Sequence, residues 1–559
     1  MASLNPLPNS PLGENRTKHL LRRTTYNYSK TRVDVLKTQS PQQIVAGLLN
    51  FDSNLNDLYS DEPMIHTVNE ENHVGQLFIF QSDSKNYLHL RALYAWYLDE
   101  AKRCETMQFK LSTFLHQILI TTVQSTNNFV PIGFHYIKLL LLYAKGSFKT
   151  LAYKMTLDNN MLVYLDNRYN TKWNPNENYA REFLELFTIT KGPQLAEGNY
   201  TNYTEYDIQQ AAKVLTGYQW DYNGLPQYVD PDTGLQRGYP NYYRHDVTDK
   251  TFSSAFNNTV ITGSTGTNDN ERHADMYREL QDFVNMIFDQ DETAKVMVRR
   301  LYRHFVRKDI TSEIETDIIV PLSVILKNNN YELSSALEVL LVSEHFFDLD
   351  DTTEGDEILG GKIKDPIELG LHTLNVLEVE TPDLKNNTFY HNEFWAKFFH
   401  NEYLKYTEFF LFKPTSVAGY KPIYQEPLYD RYWVTSSTIF YRYRFGKTLM
   451  DIRNRVTSSG FYTRINYDVV NFVRNSGHFS NPENAQTLID EIIDLLLIRE
   501  PETTRKNHFY NDLLLGDLSS INWTFAWQGY IASGDDGDVR IALERTFEGI
   551  IGSPEYQIY

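Results

Sequence analysis

The chain has 559 residues, with 72 Asp and Glu against 53 Lys and Arg, a formal net charge of −19. That balance argues against nucleic-acid binding, which needs a surplus of cations to neutralise phosphates, and the single cysteine, Cys104, excludes intrachain disulfides, a CxxC pair and a Cys-cluster zinc site. With 41% hydrophobic and 22% charged residues the chain is globular, and at roughly 150 residues per domain its length alone suggests three or four domains.

Met1 to Pro6 lacks a basic segment followed by an apolar one, so no secretory signal is read there. His19 to Arg23 reads as a short helical stretch whose Arg22 and Arg23 tie down a neighbouring element or bind an anion. Ser29 caps a predicted helix over Lys30 to Leu36. Helical runs follow at Tyr87 to Leu98, Cys104 to Val123 and Phe134 to Lys145. The most apolar stretch, Ile132 to Ala144, is interrupted by His135 and Lys138 and falls short of the ~20 apolar residues of a membrane span. No span is expected, and a buried helix is. Phe148 to Leu165 reads as two short helices broken at Asp158-Asn159-Asn160.

Asn174 to Thr188 is the most informative segment. Pro175 and Asn176 suit a helix start, and Glu177 complements its positive end. At 100° per residue Tyr179, Ala180, Phe183, Leu184, Leu186 and Phe187 share one arc, while Asn178, Arg181, Glu182 and Glu185 join Glu177 on the other. Glu177, Arg181 and Glu185 lie four apart, so one guanidinium can bridge two carboxylates. The pattern predicts a buried Arg181 whose loss costs ~3–5 kcal/mol, the penalty for orphaning a buried charge. Downstream, Thr204 to Asp207 forms a capping-box pattern for a helix that Gly217 stops.

Tyr218 to Asn270 is rich in Gly, Pro, Asn, Asp and Tyr and reads as a long irregular insertion, with one or two hairpins, lying over the surface beside the Asn176 to Thr188 helix. Inside it, Asp230 to Gly234 begins like a calcium loop but lacks the later bidentate Glu, so a turn is expected. Helices resume at Glu271 to Phe288, Thr293 to Arg307 and Leu333 to His345. Asp348 to Asp356 is an acidic connector, which divides the chain into a helical lobe over 1–347 and a second over 357–559 packed on it as one continuous unit. The second lobe has a predicted helix at Pro366 to Leu377, aromatic-rich loops from Phe389 to Trp433, and helices near Pro482 to Ile498 and Asp538 to Ile551. Glu338 to Phe346 and Glu548 to Tyr556 repeat one pattern of Glu, two aliphatics, Ser and an aromatic.

Nine stretches taken in order resemble the bacterial family known as domain of unknown function 1800. They are HLLRRTTYN from His19, LDNNMLVYLDN from Leu157, NPNENYAREFLELFT from Asn174, NYTEYDIQQAAKVLTGYQW from Asn202 and RHDVTDKTF from Arg244. LYRHFV from Leu301, LFKPTSVAGY from Leu411, WVTSSTIFYR from Trp433 and SPEYQ from Ser553 complete the set. The resemblance spans the whole chain and implies no activity. It implies export for many members, hence an envelope or extracellular setting, and a protein partner resembling alkaline phosphatases and sulfatases, whose genes often lie nearby. At Phe114 to Ile118, where many members carry a Trp-His-Asn-His-like run, only His116 matches.

Established catalytic patterns are missing: there is no HExxH, GxSxG, GxxxxGK[ST] or GxGxxG. No metal site is assigned and no cofactor is specified. Two readings follow for a mainly α, multi-helix body with long irregular loops and at most short hairpins. In the first, the chain is a structural or accessory binding protein that engages a protein or a glycan, with Asn176, Asn178, His116, Asp246 and Trp433 as binding candidates; Leu411 to Tyr420 reads as a packed loop core, with an aromatic-lined groove for a sugar or peptide as the alternative. In the second it is a hydrolase-like enzyme, with Glu177, Arg181, Glu185 and His245 as the acid–base cluster.

Overall fold

Helix starts lie where a side chain can satisfy the free N–H groups of the first turn. Ser40 and Gln43 form a capping box at Pro41–Leu48, Thr204 and Asp207 one at Glu205–Val214, and Asp365 and Glu368 one at Pro366–Val376. In the computed structural model the described residues are 2–51, 63–65, 76–77, 86–123, 130–221, 228–350, 358–451 and 467–559. Among them helices dominate. Strands are two or three residues long and join only as four antiparallel pairs. No helix among the described residues is long and apolar enough to cross a membrane.

Most predicted helices occur within a few residues of their expected limits, including the break at Asp158 between Phe148–Thr156 and Asn159–Tyr164. The run from Cys104 contracts to Gln108–His116. The Phe389 to Trp433 region departs from its loop reading: Thr388–Asn392 is helical and continues as the π-helical Glu393–Leu404. Phe394, Trp395, Phe398 and Phe399 recur there at helical spacing and are all buried. The helix Ser520–Ser533 was not legible, because Ile521, Phe525 and Ile531 are exposed and blur its apolar face.

The Tyr218 to Asn270 segment, apart from residues 222–227, which lie outside the described set, is not a surface flap. It carries the pairs Tyr218–Gln219 with Tyr239–Pro240 and Lys250–Thr251 with Val260–Ile261. It buries Phe252, Phe256 and Ile261, and Phe252 stacks on Phe283, which also meets Phe183. Asp230 to Gly234 is a turn, in which the Asp230 carboxylate accepts the Thr233 N–H and the Lys154 ammonium, the latter at 2.8 Å.

The expected connector lies outside the described residues from 351 onward. Both sides of it nonetheless contribute to one apolar cluster, to which Leu20, Leu98, Phe305, Leu371, Leu488 and Phe547 all belong. The helix Glu14–Thr24 explains how. Arg22 donates to the Leu497 and Leu495 carbonyls at 2.9 and 3.2 Å, and Arg23 to those of Phe305, Val306 and Ile358. All but the Ile358 carbonyl lie at the ends of the helices Ala485–Leu496 and Asp291–Phe305, where the last C=O groups have no helical partner. The two copies of the internal pattern also share a feature: in each, the Ser follows a helix end.

Candidate functional site

Asn176 caps the helix Glu177–Glu182 by accepting the Asn178 N–H at 2.9 Å, and the Asn178 amide donates to the Leu165 carbonyl at 3.1 Å. Both are fasteners of the helix start. The helix then widens into a π-helical turn, Phe183–Phe187, where the Thr188 N–H reaches back five residues to the Phe183 carbonyl. Arg181 bonds Glu177 at 3.1 Å and stands 3.6 Å from Glu185, as the spacing implied. Its strongest partner is Glu205, from the neighbouring helix, at 3.0 Å. The guanidinium is 34% exposed, so the expected full burial does not occur. Glu185, at 12% exposure, also pairs with Lys191 at 2.9 Å.

His245 lies elsewhere. Its Nδ1 donates to the Thr216 carbonyl at 2.8 Å, and its Nε2 is 3.3 Å from Glu279, which also holds the Lys250 ammonium at 2.5 Å. All three side chains are fully buried. Thr216 follows the C-terminal end of the helix Glu205–Val214 and Glu205 begins it, so the two groups are separated by roughly 15 Å of helix. The Asp246 carboxylate accepts the Thr248 N–H and hydroxyl at 2.9 and 2.6 Å.

His116 is buried and bonds the Tyr136 hydroxyl at 2.7 Å, and burial pushes its imidazole down to about 3. Trp433 is 2% exposed and lies tilted against Phe409 and Tyr420, which stack on each other. The rings of Leu411 to Tyr420 are therefore packed core, since rings of that size gain more by burial than by facing water, while Val417 and Ala418 between them are only partly buried. Among the described residues no three His, Cys, Asp or Glu side chains are gathered to hold a metal ion.

Of the candidates, Glu185 alone reaches a cavity of about 580 Å³. One wall comprises Gln117 and Ile118, just past the helix Gln108–His116, and another Arg299, Arg300, Arg303 and His304 of Asp291–Phe305. Lys308 follows, and Ala418, Tyr424, Glu426 and Tyr429 close the far side. Arg299 is neutralised by Glu292 and Glu315, each at 2.6 Å. Arg300 donates to the Phe187 and Leu186 carbonyls at 3.0 and 2.5 Å, satisfying the end of the π-helical turn. Arg303 donates to the Lys308 carbonyl at 3.2 Å and lies over the Tyr429 ring.

Three wall side chains are incompletely satisfied. Both amide atoms of Gln117 and the Nε2 of His304 are buried without a hydrogen-bond partner among the described residues. The Lys308 ammonium forms no hydrogen bond or ion pair among the described residues; burial pushes it down to about 8, and the attraction of Asp430 opposes this. These residues are 5%, 4% and 6% exposed. Burial, aided by Lys362 and Lys110, also holds the His304 imidazole well below its usual range, so it is neutral. Lys110 and Lys362 themselves pair with the fully buried Glu368 at 2.6 and 3.1 Å.

Sequence reasoning did not assign Gln117, Arg300, Arg303, His304 or Lys308 to a site. A signal existed: Phe114 to Ile118, Asn174 to Thr188, LYRHFV and LFKPTSVAGY stand out in the sequence, and each supplies residues to the lining of this one cavity. The family described as a protein of unknown function (DUF1800) matches residues 19–558 of the chain. No curated protein and no solved structure matches it.

Proposed function

The chain belongs to the DUF1800 family, and we propose that it works by binding, as an accessory protein that holds a small molecule or the end of a glycan or peptide chain in the cavity between Gln117, His304 and Tyr429. The observation that carries this reading is the set of unpartnered polar groups on its wall. Each buried group left without a hydrogen bond costs about 1–3 kcal/mol, and a ligand that meets several of them recovers that cost. The volume supports it too, since small-molecule sites run from about 300 to 1,000 Å³.

Hydrolysis is supported less well. Glu185 is engaged by Arg181 and Lys191, and His245 belongs to a separate buried group with Glu279. Glu426 accepts from the Tyr429 hydroxyl at 2.5 Å, but burial pushes that phenol up and makes it a poor nucleophile.

Ligand-observed NMR with a library of small sugars, dipeptides and organic acids tests the binding reading. Wild-type protein should retain a set of hits that vanish in Ala418→Phe, which fills the cavity, while the circular dichroism melt stays unchanged. No hits at all, or hits indifferent to the filling, would overturn it.

A further inference from the structure

Resting on that reading of the cavity, we propose that the wall formed by Gln117, Arg300, Arg303, His304 and Lys308 is an oxyanion subsite, so that the ligand bears a carboxylate, phosphate or sulfate group. Charge on the wall is the first argument. Four cations line it against two carboxylates, but Arg299 is matched by Glu292 and Glu315, and Glu185 by Arg181 and Lys191. Arg300, Arg303 and Lys308 have no carboxylate within ion-pair distance among the described residues, and Glu426 is the one remaining acid on the wall. Asp430 attracts Lys308 electrostatically but stands beyond ion-pair distance of it, its carboxylate accepting the Ile363 N–H at 2.7 Å. A local excess of positive charge, buried at Lys308 and partly buried at Arg300 and Arg303, in a chain of net charge −19 is a cost that a bound anion lowers.

Chemistry of the donors is the second argument. Arg300 uses two of its N–H groups on the Leu186 and Phe187 carbonyls, which fixes the guanidinium before any ligand arrives. Arginine and lysine donors to an oxyanion form charge-assisted bonds, stronger than those between neutral groups. The Gln117 amide, with no partner of its own, adds a neutral donor from another segment. The remainder of the ligand meets Phe114, Ile118, Ile423 and Tyr424, an apolar and aromatic side suited to a sugar ring or an aliphatic chain.

Calorimetric titration with glucose, glucuronate, glucose 6-phosphate, acetate and inorganic phosphate tests the subsite. At least one of the four anions should bind ten-fold or more tighter than glucose, with affinity falling as sodium chloride rises from 50 to 300 mM. The preferred anion distinguishes a planar carboxylate from a tetrahedral oxyanion. Lys308→Met should abolish the preference and Lys308→Arg restore part of it. Without ligand, Lys308→Met should melt no lower than wild type, because it removes an unpaired buried charge. A lower melting temperature would show that the ammonium is already satisfied and would overturn the subsite. So would anions that bind no better than glucose, or that bind with no salt dependence. If neutral library members bind the cavity and none of the four anions does, the subsite fails while the binding reading stands. Failure of every probe and of the library removes both.

Discussion

Asp158 is buried, caps the helix Asn159–Tyr164 by accepting the Met161 N–H at 2.9 Å, and has its carboxyl pushed up to about 7 by desolvation. In the unfolded chain the same group titrates near 4, so between about pH 4 and 7 the folded state binds the extra proton. The stability contributed by the protonated carboxyl is present below pH 4 and lost as pH rises through 7, on the order of 4 kcal/mol at about 1.4 kcal/mol per unit. Asparagine keeps the cap without the charge. Asp158→Asn should therefore raise the melting temperature at pH 8 and leave it nearly unchanged at pH 4, read from melts across that range; a parallel pH dependence of both proteins would refute this. The same residue scale explains why Gln117 and Lys308 were passed over. Neither type is distinctive in a sequence, and their interest comes from bonds they do not form, which depends on what surrounds them.

At the scale of elements, the Glu177 helix shows what periodicity supplies and where it stops. Spacing by four placed Glu177 and Glu185 on either side of Arg181, and both lie within 3.6 Å of it. Periodicity says nothing of a second helix, and Glu205 arrives from one. The three exposures, 34% for Arg181, 36% for Glu177 and 40% for Glu205, leave this network largely hydrated. Arg181→Ala should then cost about 1 kcal/mol, the worth of an exposed pair, instead of the larger penalty that full burial implied. Lys110 offers the contrast. Its ammonium is 2.6 Å from Glu368 with neither side chain exposed, and Lys110→Ala should cost about 3–5 kcal/mol by leaving the buried carboxylate with Lys362 alone, at 3.1 Å. Urea denaturation of both variants measures the difference, and equal costs would refute it. The π-helical turn was equally out of reach, because its extra residue is tolerated where Arg300, from 113 residues away, takes the freed carbonyls.

Across the whole molecule, the helix Glu14–Thr24 reaches both the middle and the end of the chain through Arg22 and Arg23. His372 adds a bond from the second half, its Nε2 donating to the Thr25 carbonyl at 2.8 Å. With one apolar cluster drawn from both sides of the connector, we expect the chain to unfold as a unit despite its length. Scanning calorimetry should show one transition, and Arg23→Ala should lower it without splitting it. Two transitions in the wild type would mean that the lobes fold separately.

Local chemistry alone determined the mainly α character, the capped helix starts at Ser29 and Thr204, and the turn at Asp230, because each depends on residues a few positions apart. The matched motifs determined family membership for the same reason: they are strings, legible without geometry. Only the tertiary structure decided that His245 belongs with Glu279, that Trp433 is core, and that Gln117, His304 and Lys308 share a wall. Those outcomes follow from which helices pack together and which polar atoms they leave without a partner. Burial and charge balance are sums over neighbours distant in the chain, and no local pattern encodes them.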